Sequence, residues 1–342
     1  MKALFIGGTG TISMEITRLL AADPRWELTL LNRGSRTDLP AGVRCIQADI
    51  HDEEDVKRKL NGMRFDLAAD FIAFTPADVE RDIRLFAGRT GQYIFISSAS
   101  AYQKPLSHYV ITESTPLSNP YWEYSRQKIA CEERLMQAYR EEGFPVTIVR
   151  PSHTYGEKSL PVALHGEKGS WQVILRMLQG RPVIVPGDGA SLWTLTHAAD
   201  FAKGFRGLMG NVHAVGEAVQ LTSDESLTWN QIYGIIGKAL GVEPVLRHIA
   251  TDFITACRPA FTGGLMGDKS HTVVFDNRKL KRLVPGFAAG IRFDQGVHTT
   301  LAYIRTHPEL QREDPAFDRW CDQIIALYDR AMDKARAIPY SE

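Results

Sequence analysis

The first thirteen residues, MKALFIGGTGTIS, constrain the fold more than any other stretch of this chain. Ala3, Leu4, Phe5 and Ile6 form a short apolar run. Gly7, Gly8 and Gly10 follow at once, and Ile12, Met14, Ile16, Leu19 and Leu20 then recur at helical spacing. The order is strand, glycine turn, helix. It places backbone N–H groups and the positive end of a helix beside the turn, where a pyrophosphate binds, and glycine allows the close approach that a Cβ would block. Gly7, Thr9, Gly10, Thr11 and Ile12 are the expected cradle.

Apolar runs alternate with helical spacing from there on. Residues 26–31, 43–47, 65–74, 93–97 and 145–150 read as strands two to six, with helices over 53–60, 79–86 and 124–139. The nearly continuous apolar character of 65–74 marks a central, parallel strand. The alternation predicts an α/β fold: a Rossmann-type doubly wound parallel sheet with a smaller, mixed C-terminal substrate domain. The expected boundaries are 1–160 for the dinucleotide domain, with a return segment near 215–242, and 161–214 plus 243–342 for the substrate domain. Asp200 is expected to cap a helix running to Met209, and a final helix over 314–336 should pack Phe317, Trp320, Ile324, Leu327 and Tyr328 on the core.

Composition narrows the function. Forty lysines and arginines balance forty aspartates and glutamates. No overall basic excess points to nucleic acid or a membrane surface, a local basic face staying open, and the expected partner is a small-molecule substrate. Cys45, Cys131, Cys257 and Cys321 are widely spaced with no CxxC pair, and the ten histidines lack ligand spacing, so no metal site is expected. No leader pattern and no apolar run of membrane-spanning length is visible, which suggests a soluble, cytoplasmic setting.

Strand two ends at Asn32-Arg33-Gly34. A carboxylate there would bind a ribose 2′-hydroxyl and repel a 2′-phosphate. A neutral amide with Arg33 and Arg36 beside it favours NADP, the alternative being that the arginines are solvated and NAD binds through Asn32. Strand five runs into Ser97-Ser98-Ala99-Ser100-Ala101-Tyr102. Further on, Tyr124 and Lys128 lie four apart, on one helical face. A free phenol titrates near ~10, and an ammonium held nearby lowers that value. The pair suits acid/base chemistry on a hydroxyl–ketone couple, with Ser98 holding the substrate oxygen. A YxxxK spacing alone is common on surface helices; its place after strand five of a dinucleotide fold gives it weight. His153, just past strand six, is a further candidate ligand contact.

These motifs together resemble the extended (to atypical) short-chain dehydrogenase/reductase family, in its NAD-dependent epimerase/dehydratase group, over nearly the whole chain. GGTGTI matches its glycine motif, with Ser13 where the third glycine usually stands. Asp49-Ile50 matches the adenine-contacting position, and Phe71, Ile72 and Ala73 match the strand-four segment along the cofactor. SSASAY matches the active-site serine segment, which puts Ser97 beside the cofactor and makes Ser98 the catalytic serine. YSRQK matches the catalytic pair Tyr124 and Lys128. RPSHTYG matches the strand-six motif, with Pro151 and His153 at the cofactor. GDGASLWTLTHAAD matches a segment ending in a histidine–x–x–aspartate helix start, and residues 274–287 resemble the C-terminal substrate-domain signature.

The resemblance implies an NAD(P)-dependent epimerase or reductase acting through Ser98, Tyr124 and Lys128 on a sugar or sugar-nucleotide-like substrate. It also implies a homodimer joined through the YxxxK helix, where Ile129, Leu135 and Met136 are available either to a partner or to the protein's own sheet. Two departures matter. Dehydratases carry an Asp–Glu pair where Ala99-Ser100 stand, so dehydration is disfavoured. Sugar-nucleotide epimerases place an asparagine at His153 and a pyrophosphate-binding arginine at Trp193, which argues against a UDP-sugar. The LNRG turn and the THAAD segment resemble the branch that includes chloroplast stem-loop-binding proteins, which keeps an RNA-associated, non-enzymatic alternative open.

Overall fold

The computed structural model describes residues 1–34 and 39–339. Seven short strands pair in parallel: β1 (Lys2–Ile6), β2 (Glu27–Asn32), β3 (Arg44–Gln47), β4 (Leu67–Asp70), β5 (Tyr93–Ile96), β6 (Val146–Pro151) and β7 (Ala218–Leu221). Their spatial order is β3-β2-β1-β4-β5-β6-β7. The direction of progression reverses between β1 and β4. At such a switch point the loops leaving the two strands diverge and open a crevice at their carboxyl ends.

Five helices cover this sheet: α1 (Thr11–Ala21), α2 (Glu53–Lys59), α3 (Pro76–Phe86), α4 (Glu123–Glu142) and α5 (Ala198–Leu208). Phe5, Leu30 and Ile94 pack with Ile16 and Leu20 of α1 and Phe201 and Phe205 of α5. Leu4, Ile6 and Ile148 pack with Val56 of α2, Val79 and Phe86 of α3 and Leu135 of α4. The sheet is thus buried on both faces, which is why its central strands are apolar along their length rather than alternating. Leu135 belongs to this core and is unavailable to a partner; Ile129 and Met136 are half-buried.

Several details differ from the sequence-based expectation. The fourth strand stops at Asp70, not Phe74. The Asp70 carboxylate accepts the N–H groups of Ile72 at 2.5 Å and Ala73 at 2.8 Å, which curls the chain out of the sheet. His197, not Asp200, caps α5: its ring nitrogen accepts the Ala199 N–H at 3.2 Å. Asp200 sits buried one turn inside and accepts the Ile291 N–H at 2.7 Å. In the final helix (Pro315–Arg336), Leu327 is 44% exposed. At 3.6 residues per turn it lies about 80° off Phe317, and the buried stripe is Phe317, Cys321, Ile324 and Ile325.

The chain forms two compact units. The first holds 1–155, 194–225 and 274–291; the second holds 156–193, 226–273 and 292 onward. The segment that rejoins the first unit is therefore 194–225 rather than the expected 215–242, because α5 buries Phe201, Phe205 and Leu208 on the sheet. Residues 274–287, expected in the substrate domain, also join the first unit. Asn277 donates to the Thr222 and Ser223 carbonyls, and Lys279 donates to the Ala218 carbonyl. Within the second unit, Trp193 is buried and stacked on Trp229 with ring centroids 5.5 Å apart. No helix among the described residues is long and apolar enough to cross a membrane.

Candidate active site

The β1 turn is built to leave space. Gly7 has φ +77°, and a Cβ there would stand 2.5 Å from Ile72 Cγ2. Only glycine takes that conformation without strain and keeps Ile72 in place. Ser13 fastens the turn from the helix side: its hydroxyl donates to the Gly7 carbonyl at 2.8 Å and accepts the Gly10 N–H at 2.8 Å. Thr17 Oγ1 donates to the Gly8 carbonyl at 2.8 Å. The first intrahelical bond of α1 runs from the Met14 N–H to the Gly10 carbonyl, so the amides of Thr11 and Ile12 precede it and carry the helix's positive end.

A cleft of about 660 Å³ opens at this point. Its walls include Gly7, Thr9, Gly10, Thr11, Ile12, Asn32, Arg33, Asp49, Ile50, Phe71 and Ile72, which are eleven of the fifteen expected cofactor contacts. Ser13, Leu31, Ala48, His51, Phe74 and Ile96 line it too. Ile72 is 39% exposed and Phe74 46%, an apolar floor open to a planar ligand. Arg36 lies outside the described residues.

Ala73, Ser97, Pro151 and His153 are not on these walls. Ala73 is buried behind the floor. The Ser97 hydroxyl turns inward and donates to the buried Glu132 carboxylate at 2.5 Å, which in turn pairs with Arg150. Pro151 closes β6 and is buried. His153 opens a short strand (His153–Tyr155) that pairs with 195–197 instead of ending in a loop.

The cleft floor is joined to the YxxxK helix. Lys128 is buried; its Nζ donates to the Ala73 carbonyl at 2.6 Å and the Ile96 carbonyl at 2.7 Å. The ammonium lies 4.5 Å from the Phe74 ring centroid and 5.8 Å from that of Tyr124. Burial lowers its pKa from the ordinary 10.5 to about 8. The half-buried Tyr124 ring has its centroid 6.3 Å from that of Phe74 and 4.9 Å from that of Trp122. Ser98 is half-buried, with its Oγ 2.9 Å from Ser100 Oγ.

A buried ionic cluster supports the same floor. Arg81 pairs with Asp70 at 3.2 Å, Asp78 at 3.1 Å and Asp82 at 2.8 Å, and the Tyr93 hydroxyl donates to Asp82 at 2.5 Å. Burial and the Asp82 carboxylate push the Asp70 carboxyl well above the ordinary carboxylate range. Asp70 holds the Ile72 and Ala73 amides, and Asp78 holds those of Phe74 and Thr75. Sequence reasoning missed this cluster; the one signal was a charged residue ending an apolar strand. Among the described residues no group of three or more His, Cys, Asp or Glu could hold a metal.

The model of the NAD dependent epimerase/dehydratase family matches residues 3–221. The 2'-dehydrokanamycin reductase of Streptomyces kanamyceticus is 29% identical over 245 residues, 70% of this chain and 67% of the reductase. The chloroplast stem-loop binding protein of 41 kDa b from Arabidopsis thaliana is 27% identical over 265 residues, 72% of this chain and 65% of that protein. The chain thus spans about two thirds of the length of these relatives. Among solved structures, UDP-glucuronic acid 4-epimerase from Bacillus cereus, in complex with UDP-glucuronic acid and NAD, superposes with a TM-score of 0.72. It covers 90% of this chain and 99% of its own at 16% identity. Pal from Bacillus thuringiensis gives a TM-score of 0.71, covering 90% and 99%, at 21% identity. At these identities the structures share the fold.

Proposed function

The chain belongs to the NAD dependent epimerase/dehydratase family, and on that premise we propose that it interconverts a hydroxyl and a ketone on a sugar-type substrate with a nicotinamide dinucleotide held in the cleft. One observation carries this reading: Lys128, 5.8 Å from the Tyr124 ring, is bonded through Ala73 to the floor of a cleft whose turn tolerates no side chain at Gly7. The glycine turn, the amides opening α1 and the apolar floor fit the pyrophosphate and the flat rings of a dinucleotide. When bound, that group supplies the hydride.

The remaining roles belong to the chain. Tyr124 gives a proton to the ketone oxygen as the carbon is reduced, or takes it from the alcohol in reverse. Lys128 keeps positive charge beside the phenol and holds the floor. Ser98 hydrogen-bonds the substrate oxygen. No carboxylate follows Ser98, so elimination of water has no acid or base in that segment. Asn32 at the end of β2 and Arg33 on the wall favour NADP. Arg33 also lines a neighbouring open groove with Arg44 and Lys59, which suits a 2′-phosphate. Reduction of an unphosphorylated keto sugar fits better than epimerisation of a UDP-sugar, since Trp193 is a packed core residue and offers no charge to a pyrophosphate. A homodimer and a cytoplasmic setting complete the proposal; light scattering tests the former.

The test is to follow the near-ultraviolet absorbance of NADPH with 2′-dehydrokanamycin and, in parallel, to assay UDP-glucose with NAD⁺ for its epimer by chromatography, because epimerisation returns the hydride and leaves no net absorbance change. Consumption of NADPH by the keto sugar supports the reading, and no turnover of either overturns it. A second reading, an RNA-associated cofactor-binding protein, is favoured by the 27% identity to the chloroplast stem-loop binding protein. It requires salt-dependent binding of mixed RNA tighter than about 1 μM at physiological salt.

A further inference from the structure

We propose that Ser100 and Ser125 are positioning residues that make Ser98 a hydrogen-bond donor only, and so tune the site to the ketone form of its substrate. The proposal rests on the reading of Ser98 and Tyr124 given above. Ser125 follows Tyr124 in the first turn of α4 and is fully buried. Its hydroxyl donates to Ser100 Oγ at 2.7 Å. Ser100 Oγ lies 2.9 Å from Ser98 Oγ, and the Ser100 backbone N–H donates to that same Ser98 oxygen at 3.2 Å. Asn119 Nδ2 donates to the Ser100 carbonyl at 2.8 Å and fixes the segment.

A hydroxyl has one proton and two acceptor lone pairs. Ser125 occupies an acceptor site on Ser100. Ser100 is buried, so its own proton has Ser98 as its partner rather than solvent. Ser98 then accepts twice, from the N–H and the O–H of Ser100. Its single proton points out of the relay, and the residue is half-buried rather than sealed. The neighbouring Ser97 hydroxyl is turned to Glu132 and takes no part.

A hydroxyl that can only donate suits an oxygen that can only accept. A ketone oxygen receives two donors, Ser98 and Tyr124. An alcohol has to surrender its proton to Tyr124 alone, because Ser98 has no lone pair left for it. The gain rises as negative charge builds on the reacting oxygen. The relay runs through Ser100 and Ser125, so both act on the substrate only through Ser98.

Neutron diffraction from deuterium-exchanged crystals of the full chain shows the Ser98 deuteron directly and needs no substrate. The expected map has the Ser125 deuteron on the line to Ser100, that of Ser100 on the line to Ser98, and that of Ser98 aimed away from both. A Ser98 deuteron aimed at Ser100 Oγ overturns the proposal. Kinetics with NADPH and 2′-dehydrokanamycin give the second readout. S100A and S125A should lower kcat by about 10-fold, an order below the loss of an oxyanion donor. The KM for NADPH should stay within about twofold, and S125T, which keeps the hydroxyl, should recover the rate. An equal loss in S125T, or a loss confined to the NADPH KM, contradicts the relay. Full turnover by Y124F would strike the proposed function while leaving the neutron result intact.

Discussion

Replacing Lys128 by methionine removes a buried ammonium with two carbonyl partners, and its effect on stability should depend strongly on pH. The side chain is buried, and burial lowers its pKa from 10.5 to about 8. Between those values the unfolded chain binds the proton and the native chain does not, so wild-type stability rises with pH. At 1.36 kcal/mol per unit, moving from about pH 7 to about pH 9.5 crosses ~1.4 units of that difference and adds about 2 kcal/mol. The K128M variant lacks this gain. It also leaves the Ala73 and Ile96 carbonyls without their donor, at about 1–3 kcal/mol each, partly offset at pH 7 by relief of the buried charge. Urea denaturation of both proteins at the two pH values isolates the Lys128 contribution, because every other titrating group is common to both. The gap between wild type and variant should widen by about 2 kcal/mol at the higher pH. A gap that stays constant would refute the depressed lysine and the reasoning built on its burial.

Three further outcomes follow from the cleft. Gly7→Ala forces a left-handed backbone onto a residue with a Cβ and pushes Ile72 off the floor. It should cost about 1–2 kcal/mol in denaturation and weaken NADPH binding by about 10-fold or more in a fluorescence titration. Ser13→Gly restores the residue usual in the glycine motif yet loses the hydroxyl joining Gly7 to Gly10. It should lower stability by about 1–2 kcal/mol, seen as a drop in melting temperature, and should not improve NADPH affinity. Arg33→Ser should weaken NADPH by about 10-fold while leaving NADH within about twofold, measured by calorimetry; equal losses for both would end the 2′-phosphate assignment.

The core of the fold was legible because it is local. Strand, glycine turn and helix follow one another within Lys2–Ile6 and Thr11–Ala21, and most of the expected cofactor contacts fall on one cleft. Longer-range choices were not legible. Phe71 to Phe74 continue the apolar pattern of β4, and only the bonds from Asp70 to the amides beyond it show that the strand has ended. Asp200 and His197 are both able to cap a helix, and the choice depends on Ile291, far along the chain, taking the aspartate. Ser97 and Ser98 are adjacent and chemically alike; the buried Glu132, on another element, decides that the first faces inward. The same holds for 274–287, whose place is set by Asn277 reaching the end of β7.

The central claim is that Tyr124 performs proton transfer beside a dinucleotide held independently of it. Transient kinetics on Tyr124→Phe measure both parts in one experiment. NADPH binding should remain within about twofold of wild type, while turnover of the keto sugar falls by about 10²-fold or more. Turnover preserved at the wild-type rate with NADPH bound would contradict the account.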